Sequence, residues 1–207
     1  MSLRIDGTLR RGELTLDLDL DLPLGVTAIT GPNGAGMSSV LRLIAGLEAL
    51  HSGRVVIDDV AVDDRSANVF VPPEDRDVSM AFQQPRLFPH LDVLHNIAFP
   101  LRRQGHAMAA ALELARPFAA RVGAGGFLDL RPRQLSGGQA QRTAIAVALA
   151  VGASTILLDE PLASIDESGT ADIRRLLHDL DTPRVVWVTH DPADAVGTDH
   201  QIRLGLP

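Results

Sequence analysis

The sequence predicts an α/β fold with a mainly parallel sheet, an N-terminal antiparallel β portion and an inserted helical lobe. Short, continuous apolar runs at residues 26–30, 154–159 and 184–189 are typical of parallel strands that are buried on both faces. The strictly alternating LTLDLDLDL of residues 14–22 predicts a strand with one face in water. Residues 89–131 carry helix formers and little strand signal, which predicts the lobe.

Two more strands are predicted at residues 54–58 and 78–82, with helices between the strands of the core. Within the lobe, Pro100 and Pro117 are expected to interrupt the helices because proline lacks a backbone N–H and clashes with the preceding turn. The lobe as a whole is expected to be mostly helical.

Two longer helices are predicted after the lobe. The first covers residues 137–152 and ends at Gly152. The second covers residues 167–180, with Ser168 or Thr170 near its start and Pro183 beyond its end. The chain is thus expected to form one domain, with an α/β core at about 1–88 and 153–207 and a helical lobe with its following helix at about 89–152.

Bulk composition excludes several classes of function. The 207 residues are 45% hydrophobic, which suffices for a substantial core. A net charge of -7 argues against a nucleic-acid partner. The absence of cysteine excludes disulfides and thiolate metal sites. The first residues lack the apolar core of a signal peptide, and the longest uncharged stretch, 143–158, is shorter than the roughly 20 residues of a membrane span.

The segment GPNGAGMSS, residues 31–39, follows a predicted strand and precedes a predicted helix. Glycines at 31, 34 and 36 allow backbone N–H groups to surround a phosphate, and the helix adds the positive end of its dipole. The pattern agrees with G-x-x-x-x-G-K-[ST] except that Met37 stands where lysine is expected. An ordinary glycine-rich turn is the alternative interpretation of this segment alone.

TILLDEP, residues 155–161, places two carboxylates at the end of a buried strand. Asp159 is suited to hold a magnesium ion, and Glu160 is suited to polarise an attacking water beside the metal. Alternatively, the two carboxylates could simply be a solvated strand end. The catalytic interpretation is favoured because the glycine-rich loop occurs in the same chain.

LSGGQ, residues 135–139, is the most specific motif of the chain. Its serine and two glycines precede a long predicted helix, which again provides a hydroxyl, backbone N–H groups and a helix dipole for an anion. Alone, it could be a helix cap followed by a flexible turn.

Together, these motifs resemble those of the ATP-binding subunits of ABC transporters, and the resemblance covers nearly the whole chain. GPNGAGMSS is similar to the first nucleotide motif, LSGGQ to the signature and ILLDEP to the second nucleotide motif. Gln83 in AFQQPRLFPHL resembles the glutamine loop of the family, which lies between the first nucleotide motif and the signature. Asp166 in PLASID resembles the acidic residue after the second nucleotide motif, and His190 in VTHD resembles the switch histidine. Residues 72–102 are further similar to ATPases of molybdate, sulfate and related importers.

The resemblance implies a P-loop NTPase core that binds ATP and Mg²⁺. Glu160, His190 and Gln83 are implied as catalytic, and Ser38, Gln83 and Asp159 as metal-binding. The implied nucleotide-binding residues are Gly31, Pro32, Asn33, Gly34, Ala35, Gly36, Met37, Ser38, Ser39, Ser136, Gly137, Gly138, Gln139 and Asp166.

The resemblance also implies partners and a location. Two such subunits pair head to tail, so that the signature of one closes over the ATP of the other, and a homodimer is expected. Transmembrane permease subunits and, indirectly, an extracytoplasmic solute-binding protein are the further partners. The implied location is the cytoplasmic face of the membrane. Because the chain ends at Pro207, the β-rich regulatory domain of many importer ATPases is expected to be absent.

The chain departs from the family pattern in two important places. Met37 offers only a weakly accepting thioether where a lysine would offset developing charge on the phosphate. A unit charge about 4 Å away contributes roughly 4 kcal/mol at an effective dielectric of about 20, or about a thousandfold in rate. Weakened ATP binding and nearly abolished hydrolysis are therefore expected. No aromatic residue precedes Phe70, so weak base recognition through residues near 9–14 is also expected.

Three functional hypotheses follow. The first is the energy-coupling subunit of an importer of a small solute such as molybdate or another oxyanion. The second is a non-hydrolysing, nucleotide-responsive subunit that pairs with a competent one. The third is a chromosome-maintenance ATPase, which would need a long heptad insertion that the chain lacks.

Overall fold

The structure is a computed structural model that describes residues 2–180 and 184–205. The predicted helix stop at Pro183, the chain end at Pro207 and the side chain of Ser168 lie outside this described part. The strands are β1 Leu3–Arg11, β2 Leu14–Leu22, β3 Gly25–Thr30, β4 Ser52–Ile57, β5 Val60–Asp64, β6 Val69–Phe70, β7 Val78–Ala81, β8 Thr155–Asp159, β9 Arg184–Thr189 and β10 His200–Arg203. The α-helices are α1 Met37–Ile44, α2 Val93–Arg103, α3 Met108–Arg121, α4 Gly137–Ala150 and α5 Glu167–His178.

The strands form two five-stranded sheets in the described part of the chain. One is antiparallel, with the order β2-β1-β4-β5-β6. The other is parallel, with the order β10-β3-β9-β8-β7. Helices α2, α3 and α4 lie between β7 and β8 in the chain. The predicted α/β class, with its parallel sheet, antiparallel portion and helical insertion, is confirmed.

The antiparallel sheet contains strands that the sequence patterns did not predict. Strand β1 pairs with both β2 and β4, yet Gly7 breaks the alternation of its apolar residues. A Cβ at Gly7 would collide with the backbone of Ser52 and Gly53 on β4, so glycine allows the two strands to approach closely. Strands β5 and β6 of this sheet and strand β10 of the parallel sheet were also not predicted, because they are short and partly exposed, and such segments carry little periodic signal.

The predicted interruption of the lobe helices was wrong. Pro100 lies inside a continuous α2 and Pro117 inside a continuous α3. The helices tolerate the lost hydrogen bonds because their apolar faces are buried in one core, including Ala111, Ala115 and Ala119 at four-residue spacing on α3. Tertiary packing therefore outweighs the local cost of proline. No helix in residues 2–180 or 184–205 is long and apolar enough to cross a membrane.

Helix α1 is fixed at its C-terminal end by a buried arginine. Arg76 is 6% exposed and donates through Nη1 to the carbonyl oxygens of Leu43 and Ile44, both at 2.8 Å. These carbonyls belong to the last turn of the helix, where acceptors lack intrahelical partners. Its Nη2 donates to Val62 O of β5 at 3.0 Å, so Arg76 anchors α1 against the antiparallel sheet.

A second buried arginine joins the two sheets. Arg184, at the start of β9, has a fully buried side chain and donates to Leu22 O at 3.2 Å, to Thr155 Oγ1 at 3.1 Å and to Asp58 Oδ1 at 2.9 Å. Leu22 ends β2, while Thr155 begins β8. The guanidinium therefore connects the antiparallel sheet to the amino ends of the parallel strands.

Replacing Arg184 with methionine should lower the free energy of unfolding by about 3 kcal/mol, because it leaves the partners of a buried charge without a donor. Urea denaturation followed by circular dichroism measures this change. Arg175→Met is the control, since that side chain is 73% exposed, and its effect should stay within about 0.5 kcal/mol. Equal effects of the two substitutions would contradict the structural role of Arg184.

Candidate functional site

The predicted motifs meet at one edge of the parallel sheet. Strands β3, β9, β8 and β7 are neighbours and run in the same direction, so their carboxyl ends share that edge. The glycine-rich loop follows β3, His190 follows β9, Glu160 follows β8, and Gln83 lies just beyond β7. The sheet order alone thus brings four distant segments of the chain together.

The glycine-rich loop has the backbone conformation that its glycines predict. Gly34 has φ 87° and Gly36 has φ 83°, both in the left-handed region. Gly36 is the N-cap of α1, and its Cα lies so close to Leu16 that a Cβ there would collide with that side chain. The first N–H groups of α1 lack intrahelical acceptors and open at the loop. This arrangement is a backbone cradle suited to a phosphate.

Ser38 and Asp159 form the polar centre of the edge. Ser38 Oγ donates to Asp159 Oδ1 at 2.8 Å. Asp159 is 1% exposed, and burial raises its pKa above the usual range while the bond from Ser38 opposes that shift. A buried carboxylate beside a hydroxyl provides the hard oxygen donors that Mg²⁺ prefers, so these residues fit the implied metal. The side chain of Gln83 is exposed.

Glu160 and His190 form a second polar pair at the edge. Glu160 is 9% exposed and has a left-handed backbone with φ 51°, a conformation uncommon for a non-glycine residue. Its Oε1 accepts a hydrogen bond from the backbone N–H of His190 at 3.1 Å and lies 2.8 Å from His190 Nδ1. The hydrogen bond with Glu160 raises the pKa of His190 above the 6.5 of a free imidazole.

Met37 is packed into the hydrophobic core at the base of the loop. It is 7% exposed and belongs to a buried cluster with Leu16, Leu18 and Val40. A Cβ on Gly31 would lie 3.4 Å from the Met37 sulfur, so the thioether reaches the start of the loop. The side chain thus stabilises the loop through apolar contact but brings no charge to it.

A cavity of about 390 Å³ opens at this edge. The predicted residues that line it are Asn33, Gly34, Gly36, Met37, Ser38, Ser39, Gln83 and Glu160. Gly31, Pro32 and His190 line a neighbouring cavity, and Ala35 is fully buried. The loop cavity is also lined by Arg11 and Leu14, which belong to the segment near 9–14 that was expected beside the base, and by Arg42, which the sequence did not predict. Arg42 lies four residues after Ser38, a helical spacing that could have revealed it.

The signature segment lies at a different place in the monomer. Ser136 is the N-cap of α4, where its Oγ accepts from Gln139 N at 3.2 Å and its N–H donates to Gln139 Oε1 at 2.9 Å. Gly137, Gly138 and Asp166 line the same cavity of about 490 Å³ as these two residues. It shares no lining residue with the loop cavity, so one chain does not bring the signature to the phosphate cradle.

Asp166 has a clear structural role beside the signature. It is the N-cap of α5, and its Oδ1 accepts from Gly169 N at 3.0 Å and from Arg142 Nη2 at 3.3 Å. The cap is therefore Asp166, and the predicted Thr170 lies within the first turn of α5, where its N–H donates to Asp166 O. The ion pair with Arg142 connects α4 to α5.

Comparison with known proteins agrees with the fold and the motifs. Residues 16–163 match the ABC transporter family. The molybdenum import ATP-binding protein ModC of Pseudomonas fluorescens is 40% identical over 99% of this chain and 58% of its own length. The sulfate/thiosulfate import ATP-binding protein CysA of Nocardia farcinica is 40% identical over 91% of this chain and 56% of its own length.

A solved dimer of the ATP-binding cassette MJ0796, in a post-hydrolysis state bound to ADP and Pi, superposes with a TM-score of 0.84. It is 30% identical and covers 98% of this chain and 93% of its own. The chain belongs to the ABC transporter family and is similar to the ATP-binding subunits of molybdate and sulfate importers. It spans about half the length of the curated relatives that it matches.

The raised pKa of His190 can be tested by titrating its ring with NMR. In Glu160→Gln the pKa should fall towards 6.5, because the carboxylate that stabilises the imidazolium is gone. Asp191→Asn is the matched control, since that carboxylate acts only at a distance, and it should lower the pKa less. An unchanged pKa in Glu160→Gln would contradict the pairing.

The raised pKa of His190 makes the stability of the folded protein depend on pH. Because the folded-state pKa of His190 is raised, its contribution is fully present below the unfolded value of 6.5. It is lost as the pH rises through the higher folded-state value. Thermal unfolding of the wild-type protein should therefore show a loss at that pH which Glu160→Gln lacks.

Proposed function

We propose that this chain is the energy-coupling, ATP-binding subunit of an importer of a small oxyanion such as molybdate or sulfate. The observation that carries the proposal is the convergence of the glycine-rich loop, Asp159, Glu160 and His190 at one edge of the parallel sheet. The oxyanion is inferred from the names of the relatives that are 40% identical over nearly the whole chain.

The residues at the edge suit separate tasks in ATP hydrolysis. The loop N–H groups and the start of α1 bind phosphate oxygens. Ser38 and Asp159, assisted by Gln83, would hold magnesium, which when bound neutralises charge on the terminal phosphates. Glu160 provides a carboxylate that accepts a proton from the attacking water. His190 holds this carboxylate through the 2.8 Å contact with Nδ1 and can donate from its exposed ring towards the γ-phosphate.

We propose a head-to-tail homodimer as the working unit. The separate cavities of the loop and the signature support it, because Ser136 can reach a nucleotide on the loop only if it comes from another copy. Ser136, Gly137, Gly138 and Gln139 would then complete the partner's site, with Asp166 beside them. The solved cassette that shares 30% of its sequence with this chain is itself described as a dimer.

Further partners follow from the importer proposal. Transmembrane permease subunits would hold the dimer at the cytoplasmic face of the membrane, and an extracytoplasmic solute-binding protein would deliver the solute. The helical lobe, at about residues 89–152 of a single domain, is the proposed contact for the permease. Gln83 leads from the site towards this lobe, since α2 begins ten residues later.

Met37 favours a second candidate function. A buried thioether at the base of the loop supplies no positive charge to a transferring phosphoryl group. The chain could then be a non-hydrolysing subunit that binds nucleotide and pairs with a competent copy. The two candidates differ in turnover, while both require nucleotide binding.

Phosphate release by the purified chain and by Met37→Lys separates the candidates. We expect the lysine variant to be faster by about a thousandfold, because the added charge stabilises the transition state. Glu160→Gln in the Met37→Lys background is the control and should abolish the gain. Comparable rates for the chain and Met37→Lys would refute impairment by Met37.

A further inference from the structure

Arg11 is the most exposed cation of the loop cavity. It is the last residue of β1, and its side chain is 55% exposed. The cavity that it lines also contains Ser38, Ser39 and the loop glycines. None of the motifs that identify the family includes this arginine, and the cavity lies in a protein of net charge -7.

The β1–β2 hairpin places Arg11 over the start of α1. Arg11 pairs with Leu14 across the two-residue turn formed by Gly12 and Glu13. Leu14 and Leu16 of β2 pack against Gly36, the N-cap of α1. The end of the hairpin is thus fixed against the loop, which brings the Arg11 side chain to the phosphate cradle.

The hydrogen bond and ion pair that Arg11 makes are long, so a ligand can replace them at little cost. Its Nη1 lies 3.4 Å from Ser39 Oγ, in the first turn of α1, and its Nε lies 3.3 Å from Glu48 Oε1. Both distances are at the upper end for hydrogen bonds, and the half-exposed side chain gains little from such a pair. Glu48 orients the guanidinium, while Arg42 Nη1 lies 3.7 Å from the same carboxylate oxygen. Glu48 would therefore keep a cationic partner if Arg11 turned to a ligand.

We propose that Arg11 is a phosphate-binding residue and that its guanidinium supplies the cationic contact that the loop lacks at Met37. The inference rests on the proposed nucleotide-binding function of the cavity. A guanidinium presents paired N–H donors that match phosphate oxygens. Its contact with Ser39 places it beside the helix N-terminus, where phosphate groups bind.

Calorimetric titration with ADP and with adenosine, both in the presence of Mg²⁺, tests the assignment. Arg11→Gln should weaken ADP binding by about tenfold, the equivalent of about 1.4 kcal/mol, because a charge-assisted contact is lost. It should change adenosine binding by less than about twofold, since adenosine has no phosphate. An unchanged affinity for ADP would overturn the assignment.

Arg10→Gln is the matched control. It removes the same charge one residue away, on the opposite face of β1, where the side chain is exposed and does not line the cavity. ADP affinity should stay within about twofold of wild type if Arg11 acts by contact. An equal loss in both variants would indicate a general charge effect and overturn the proposal.

Arg11→Phe separates phosphate binding from stacking on the base. Phenylalanine keeps a flat surface for a purine but no charge, so ADP binding should fall as it does in Arg11→Gln. If Arg11→Phe retained full ADP affinity while Arg11→Gln lost affinity for ADP and adenosine alike, the residue would be a base platform and the proposal would be wrong.

The same titrations in the Met37→Lys background distinguish failure of this inference from failure of the proposed function. Absence of ADP binding in both backgrounds would overturn nucleotide binding itself, and the role of Arg11 with it. ADP binding that is unaffected by Arg11→Gln in either background would overturn only the role of Arg11. A loss in both backgrounds supports the proposal.

Discussion

The hydrogen bond between Ser38 and Asp159 connects segments that are 121 residues apart, and the site depends on it. It can form because β3 and β8 flank β9 in the parallel sheet, so the loop after β3 and the carboxylate at the end of β8 meet at one edge. The same geometry delivers His190 to Glu160. Two buried arginines stabilise the rest of the core: Arg184 joins the two sheets at the amino ends of the parallel strands, and Arg76 anchors the C-terminal end of α1.

Met37 alters the chemistry of the loop without disturbing its shape. The left-handed glycines, the N-terminus of α1 and the Ser38 hydroxyl all remain, while the thioether packs into the apolar cluster below. Binding a phosphate depends mainly on backbone N–H groups, whereas its reaction depends on charge that matches the transition state. The two properties can therefore separate in this chain, and Arg11 supplies a contact from outside the loop in our proposal.

Sequence patterns predicted the parts of the fold that carry strong periodicity or motifs. The alternation at Leu14–Leu22 and the continuous runs of β3, β8 and β9 were sufficient for their strands. Strand β1 was not predicted because Gly7 interrupts its apolar alternation. The predicted breaks at the two lobe prolines were wrong because packing of the helices compensates for the lost hydrogen bonds. The sequence suggested residues near 9–14 for the nucleotide site, but no motif singled out Arg11, because the packing of the hairpin on Gly36 brings its side chain to the cavity. The sequence also does not show that the signature and the glycine-rich loop line separate cavities, because their distance depends on the folded structure.

The central claim is that the loop still holds a phosphate although it has no lysine. Amide hydrogen exchange of residues 34–39, measured by NMR with and without saturating ADP and Mg²⁺, tests this claim most directly. The N–H groups at the start of α1 lack intrahelical acceptors, so a bound phosphate should slow their exchange. Exchange that is unchanged in residues 34–39 at saturating nucleotide would contradict the claim, even if protection appeared elsewhere in the chain.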